Sequence, residues 1–158
     1  MYGVAQPTII GLKTALSVLQ CDPQDDGNGS TRRCAWVCTR EEPVVFVGDT
    51  PYVLREAHKP RNTYSMSDRA ENLEGIEKRL KNDILAEASK NNGLLLVHQE
   101  QDRTTELKSK WVAVQCDNVR TMREVFTWIQ SQGWRVTYHR LPIAPDQPLE
   151  HNYLDAYT

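Results

Sequence analysis

One stretch of the sequence has the spacing of a phosphate-binding loop. Residues 34–40 read cysteine, five residues, arginine, the signature of phosphatases that use a cysteine nucleophile. In such a loop the five intervening residues form a nest of amides around phosphate, and glycines let the backbone turn inward. Here the five residues between Cys34 and Arg40 read AWVCT, which contains no glycine and favours extended backbone. We therefore expect a core strand with an arginine just past its end, and a Cys34 nucleophile is the weaker alternative.

The cysteines and histidines do not predict a metal site. On a strand, Cys34 and Cys38 would lie about 13 Å apart, whereas two ligands of one zinc ion each lie ~2.3 Å from it. His98 and His139 end predicted strands, where α/β proteins present site residues, but a lone histidine there is usually structural. We expect neither a metal ligand nor a cofactor.

Asp146 is the candidate catalytic residue. It lies in a proline-stiffened segment, residues 141–148, that follows the last predicted strand. That position suits a proton donor at the carboxyl edge of a sheet. A solvated turn aspartate between two prolines is an equal alternative on local sequence alone.

Alternating helical and strand patterns surround these residues. Period-3.6 spacing predicts helices over 8–20 and 67–90, and a capping box of Thr121 and Glu124 opens a third. Short apolar or alternating runs predict strands at 34–38, 44–47, 51–54, 94–97, 111–114 and 134–139. This order predicts an α/β fold with a mixed, largely parallel sheet flanked by helices.

Two side-chain assignments follow from these patterns. In the long helix the apolar stripe is formed by Leu73, Ile76, Leu80 and Ile84, and Glu77 belongs to the polar face. The continuous apolar run 94–97 predicts a strand buried on both faces.

Composition and charge limit the classes of partner. The 158 residues are 39% hydrophobic and 25% charged, with a formal net charge of −2, as is usual for a globular domain. No basic field is available for nucleic acid, and no segment approaches the ~20 apolar residues of a membrane span. The amino terminus lacks a secretory pattern, and the cysteines are too few for a disulfide scaffold, so we expect a cytosolic chain. A net charge this close to zero is still compatible with a local basic pocket that binds a small anion.

Several segments together resemble the paladin family and, more distantly, the tyrosine-phosphatase-like phytases of the dual-specificity phosphatase superfamily. The segments that carry the resemblance are YGVAQPT (2–8), WVCTREEPVV (36–45), GDTPYVLRE (48–56), TMREVF (121–126), TYHRLP (137–142) and LDAY (154–157). They span nearly the whole chain.

The resemblance implies a protein-tyrosine-phosphatase-like fold and phosphate monoesters as substrates, namely inositol phosphates, phosphoinositides or phosphoprotein. It also implies that residues 1–158 are the front part of one repeat, truncated before the family's catalytic Cys-x5-Arg loop and therefore inactive alone. The family's general acid follows an Arg-x-Pro turn, and Asp146 lies near that place. Residues 40–42 resemble a family motif that would either form a buried ion-pair network or support the phosphate loop. A non-catalytic pseudophosphatase or interaction module is the alternative.

Overall fold

A computed structural model describes residues 2–23, 32–56, 58–64, 69–100 and 107–143. Three helices and seven strands lie in these ranges. In chain order they are α1 (Ile9–Val18), β1 (Cys34–Cys38), β2 (Val44–Val47), β3 (Thr50–Val53), α2 (Ala70–Lys90), β4 (Leu94–Glu100), β5 (Leu107–Ala113), β6 (Val119–Thr121), α3 (Met122–Ser131) and β7 (Val136–Arg140). Asp146 and the segment 154–157 lie outside the described residues.

The strands pair in a mixed fashion. β1 and β7 run parallel, with Cys34 opposite Val136 and Cys38 opposite Arg140. β2 pairs antiparallel with β3 and with β6, and β4 pairs antiparallel with β5. The predicted mixed α/β class is confirmed. Among the described pairs only β1–β7 is parallel. Two of the antiparallel pairs, β2–β3 and β4–β5, join strands that follow each other directly in the chain and can pair as hairpins.

The main core lies between helices α1 and α3 and strands β1, β2 and β7. Phe126 of α3 is central: its ring stacks on Tyr138 with centroids 4.6 Å apart and lies 5.7 Å from the ring of Trp36. The other buried members include Ile9, Leu12, Leu16, Cys38, Val44, Phe46, Met122, Val125, Ile129 and Val136. A second, smaller cluster joins α2 to β2 and to the β4–β5 hairpin.

The helix-end signals in the sequence are confirmed. The Thr121 side chain accepts from the amide of Glu124, and the Glu124 carboxylate accepts from the Thr121 amide at 2.9 Å, so α3 begins with the predicted capping box. After α2, Gly93 adopts φ +79° and its amide donates to the Ala88 carbonyl at 2.8 Å. Asn92, directly before it, also adopts a positive φ of +54°, and glycine and asparagine are the residues that take this left-handed conformation at helix ends.

The prediction that strand 94–97 is buried on both faces is wrong. Leu95 packs into the second cluster and Val97 is 7% exposed, whereas Leu94 and Leu96 are 41% and 46% exposed. Trp111, opposite Leu96 on β5, is 58% exposed. The hairpin packs one face on α2, and in the described part of the chain nothing covers the other face.

None of the helices in the described ranges combines the length and the apolarity needed to cross a membrane.

Lowering the pH should weaken the start of α3. Burial alone would raise the pKa of Glu124, but hydrogen bonds from Lys81 and from the Thr121 amide outweigh it and hold that pKa below the ordinary 4.5. A depressed carboxyl pKa gives stability that is complete above the unfolded-state pKa and is lost as the pH falls through the folded-state value. We expect the difference in unfolding free energy between wild type and Glu124→Gln to shrink between pH 6 and about pH 3 in urea titrations.

The matched control is Glu71→Gln at the exposed first turn of α2. The difference in unfolding free energy between wild type and Glu71→Gln should change less between pH 6 and about pH 3. Glutamine keeps the capping geometry, so Glu124→Gln isolates the charge. Equal pH profiles for the two variants would contradict the prediction.

Candidate functional site

The carboxyl ends of β1 and β7 define the candidate site. Because these strands are parallel, the chain leaves both of them at the same edge of the sheet. The pairing continues past the strands, since the Leu141 amide donates to the Cys38 carbonyl at 2.9 Å and the Ile143 amide to the Thr39 carbonyl at 3.0 Å. The chain segment that leads from β7 to Asp146 therefore leaves the sheet next to residues 40–42.

The Arg140 side chain connects the chain segments that follow β1 and β7. Its Nε donates to the Arg40 carbonyl at 3.3 Å and its Nη2 donates to the Glu42 carbonyl at 2.9 Å. Its Nη1 donates to Glu77 Oε1 of α2 at 2.7 Å. All three guanidinium nitrogens are thus used inside the protein, and they fix the backbone of residues 40–42 between β7 and α2.

Glu77 is the buried partner of this arginine. The side chains of Glu77 and Arg140 are both 0% exposed. Glu77 Oε1 also accepts from the Val44 amide at 3.0 Å, so the carboxylate holds the start of β2 as well. Burial raises the pKa of Glu77 above its ordinary value, and the Arg140 guanidinium opposes that shift. Glu77 Oε2 has no hydrogen-bond partner within the described ranges.

The assignment of Glu77 to the polar face of its helix is therefore wrong. The sequence did contain a signal: Glu77 lies four residues after Leu73 and three before Leu80, inside the apolar stripe. A carboxylate in that position needs a buried cation as its partner. The sequence contains a candidate for that partner, Arg140, at the end of a strand. The sequence did not pair two residues that lie 63 positions apart.

Residues 40–42 therefore surround a buried ion pair without forming it. Arg40 Nη1 lies 3.6 Å from Glu42 Oε2, and both side chains are partly exposed. Glu42 Oε1 accepts from Thr63 Oγ1 at 3.3 Å. The buried pair uses Arg140 and Glu77 instead, and it holds the carbonyls of residues 40 and 42.

Cys34 lies on a strand, as predicted. β1 runs straight through the Cys-x5-Arg stretch, so residues 35–38 extend along β7 instead of closing around an anion. Burial raises the pKa of the Cys34 thiol, and the nearby Cys21 thiol raises it further. Neither the geometry nor the electrostatics favours a thiolate at Cys34.

The rate of alkylation should distinguish Cys116 from Cys34. At about pH 8, iodoacetamide should modify the exposed Cys116 faster than Cys34, because a half-buried thiol with a raised pKa is less accessible and forms little thiolate. Peptide mass spectrometry after timed quenching measures both sites in the same sample. Denatured protein, in which both cysteines should react alike, is the control. Faster labelling of Cys34 than of Cys116 in the folded chain would contradict the assignment.

The histidines that the structure describes do not lie together at one site. His98 Nδ1 lies 2.9 Å from Ser109 Oγ on the β4–β5 hairpin, and His139 is exposed on β7. Within the described ranges no cluster of three or more histidine, cysteine or acidic residues could hold a metal ion. The catalytic assignment of Asp146 stays a prediction, because that residue lies outside those ranges.

Comparisons with known proteins identify relatives of the whole chain. The family model for PTP-like phytases, described as "Inositol hexakisphosphate", matches residues 37–158. Paladin from Mus musculus and paladin from Xenopus tropicalis are each 30% identical to the chain over 168 residues, and paladin from Homo sapiens is 29% identical over 169. These alignments cover 100% of this chain and 18% of each paladin, so the chain spans about a fifth of the length of these curated relatives. No solved structure matches the chain significantly.

The resemblance to paladin is therefore confirmed, and the mixed α/β fold agrees with it. The match covers β1 from residue 37, the buried ion pair and the segment after β7. The chain belongs to the PTP-like phytase family.

Proposed function

We propose that this chain is the scaffold of a paladin-like, cysteine-dependent phosphatase domain that acts on phosphate monoesters. Inositol phosphates, phosphoinositides and phosphoprotein are the substrate classes. The parallel β1–β7 pair carries the proposal, because the Arg140–Glu77 ion pair holds its carboxyl edge in a fixed shape. The family match supports a phosphatase-like domain.

The reaction of such a domain defines what the chain must supply. A thiolate attacks phosphorus, an S–P bond forms, the ester P–O bond breaks, and a general acid protonates the leaving oxygen. In this sequence the Cys-x5-Arg spacing occurs at residues 34–40, which form a strand and its exit. We propose that the nucleophile loop is supplied from outside residues 1–158, and we expect the chain alone to be inactive.

Asp146 is the proposed general acid. The segment after β7 leaves the sheet beside residues 40–42, at the edge where a phosphate loop would present its ester. Arg140 is not the phosphate ligand, because its guanidinium nitrogens already donate to Glu77 and to two backbone carbonyls. We place the domain in the cytosol.

One observation favours a second candidate, a non-catalytic interaction module. Leu94, Leu96 and Trp111 form an exposed apolar face on the β4–β5 hairpin. Exposed apolar faces of this kind often mark protein contacts. A pseudophosphatase that recruits a partner through this hairpin would need no nucleophile.

A fusion protein tests the proposed function. The Cys-x5-Arg segment of a PTP-like phytase is joined after Thr158, and hydrolysis of p-nitrophenyl phosphate and inositol hexakisphosphate is measured. We expect no turnover by the unfused chain and turnover by the fusion. Asp146→Asn should lower the rate of the fusion about 10²- to 10⁴-fold, whereas Asp155→Asn, a matched control, should not.

Two results would count against the proposal. Turnover by the unfused chain that Cys34→Ser abolishes would restore the strand cysteine as nucleophile. A folded fusion that binds neither substrate would favour the interaction module.

A further inference from the structure

A basic depression lies at the other end of the β1–β7 pair. It has a volume of about 320 Å³ and is lined by Arg33, Gln130 and residues 133–137. We call it the amino-end depression. β1 and β7 each span five residues, so it lies on the order of 15 Å from the carboxyl edge.

Two arginines enter this depression side by side. Cys34 pairs with Val136, and the Cys34 amide donates to the Arg135 carbonyl at 2.9 Å, so Arg33 and Arg135 directly precede the first paired residues. Neighbouring strands lie only ~4.8 Å apart, and like charges at such positions repel each other. Of the residues that the structure describes, those that line the depression include no carboxylate. An anion between the two guanidinium groups would remove this repulsion.

Arg135 also has an unused donor. Its Nη2 donates to the Gln20 carbonyl at 3.1 Å, which anchors the side chain. Its Nε is buried and has no hydrogen-bond partner in the ranges that the structure describes. Buried donors in folded proteins are nearly always satisfied, so this one requires an explanation, and a bound ion or water is one of those known.

The remaining walls suit a small ligand. Gln130 Nε2 donates to the Val136 carbonyl at 2.7 Å, which fixes this side chain against β7. Gly133 adopts φ +89°, and a Cβ there would lie 3.2 Å from Pro23, so a larger residue in this wall would be strained. Trp134 adds an aromatic surface beside the arginines.

We propose that the amino-end depression binds the phosphate group of a small phosphorylated compound, at a site separate from the carboxyl edge. Guanidinium groups match the geometry of phosphate oxygens and donate two hydrogen bonds each, and their charge strengthens those bonds. Arg33 and Arg135 are the ligands, and Trp134 contacts the rest of the compound. The site needs no nucleophile and does not depend on the proposed hydrolysis.

Titrating the isotope-labelled full chain in NMR tests the site. The probes are inorganic phosphate and inositol hexakisphosphate, with uncharged inositol as the negative control. We expect saturable shifts of the amides of residues 133–137 and of the Trp134 indole with both anions. Tighter binding of inositol hexakisphosphate would identify a phosphorylated compound as the ligand, and equal affinity per phosphate would identify free phosphate.

Neighbouring arginines provide the matched variants. Arg33→Ala should weaken binding about tenfold, because it removes one of two charge-assisted partners. Arg32→Ala removes the same charge one residue away, outside the depression, and should change affinity less than about twofold, as expected for an exposed, screened charge. Arg33 is exposed and its side chain holds no part of the fold in the described ranges, so its replacement should leave the thermal unfolding midpoint unchanged.

Three results would overturn this inference. They are the absence of saturable shifts at residues 133–137, equal weakening by Arg32→Ala and Arg33→Ala, and shifts confined to residues 40–42. The last result would place the anion at the carboxyl edge, and would therefore support the proposed function while removing the second site.

Discussion

Replacing Glu77 by alanine should lower the free energy of unfolding by about 3–5 kcal/mol. The variant leaves the Arg140 guanidinium buried without its counter-charge, and it removes the acceptor for the Val44 amide. Removing one partner of a buried pair costs far more than the pair contributes, because the remaining charge cannot return to water. Urea unfolding followed by circular dichroism measures the change.

Two further variants make this result specific. Glu71→Ala, the same substitution on the exposed part of α2, should change stability by no more than about 0.5 kcal/mol. The double variant Glu77→Leu with Arg140→Met removes both charges and should recover much of the loss. If Glu77→Ala were as stable as Glu71→Ala, the buried pair would not exist in solution.

Phe126→Ala should cost a similar 3–5 kcal/mol, since it opens a cavity in the main core. Phe126 is 2% exposed, and its ring contacts Tyr138 and Trp36 from both strands of the parallel pair. Loss of the Phe126 ring should also weaken the pairing of β1 with β7. Chemical denaturation reports the stability, and hydrogen exchange of the β1 and β7 amides reports the loosening.

Two controls accompany this core variant. Phe126→Leu fills most of the cavity and should recover the larger part of the stability. Val18→Ala, at a position 77% exposed on α1, should stay within about 0.5 kcal/mol of wild type. A loss below about 1 kcal/mol for Phe126→Ala would show that the core is not assembled around this ring.

Local signals in the sequence predicted local structure well. Thr121 and Glu124 form their capping box because both partners lie within one turn, and Asn92 and Gly93 end α2 because their left-handed conformations depend on the residues themselves. The absence of glycine between Cys34 and Arg40 similarly predicted a strand in place of a phosphate loop.

Features that depend on distant partners were not predicted. Glu77 has helical spacing that fits either an apolar stripe or a charged face, and only the approach of Arg140 from β7 decides between them. Residues 94–97 are all apolar, but whether one face or both faces of this strand are buried depends on which elements pack against the β4–β5 hairpin. In the described chain α2 covers one face.

The use of every Arg140 nitrogen inside the protein also affects how genetic data on this family should be interpreted. A missense change at this position would score as loss of function in a cell-based screen and would suggest a substrate-binding arginine. The deficit should instead follow the amount of intact protein, because destabilised chains are removed by quality control. Normalising activity to the abundance of soluble protein would separate these two kinds of defect.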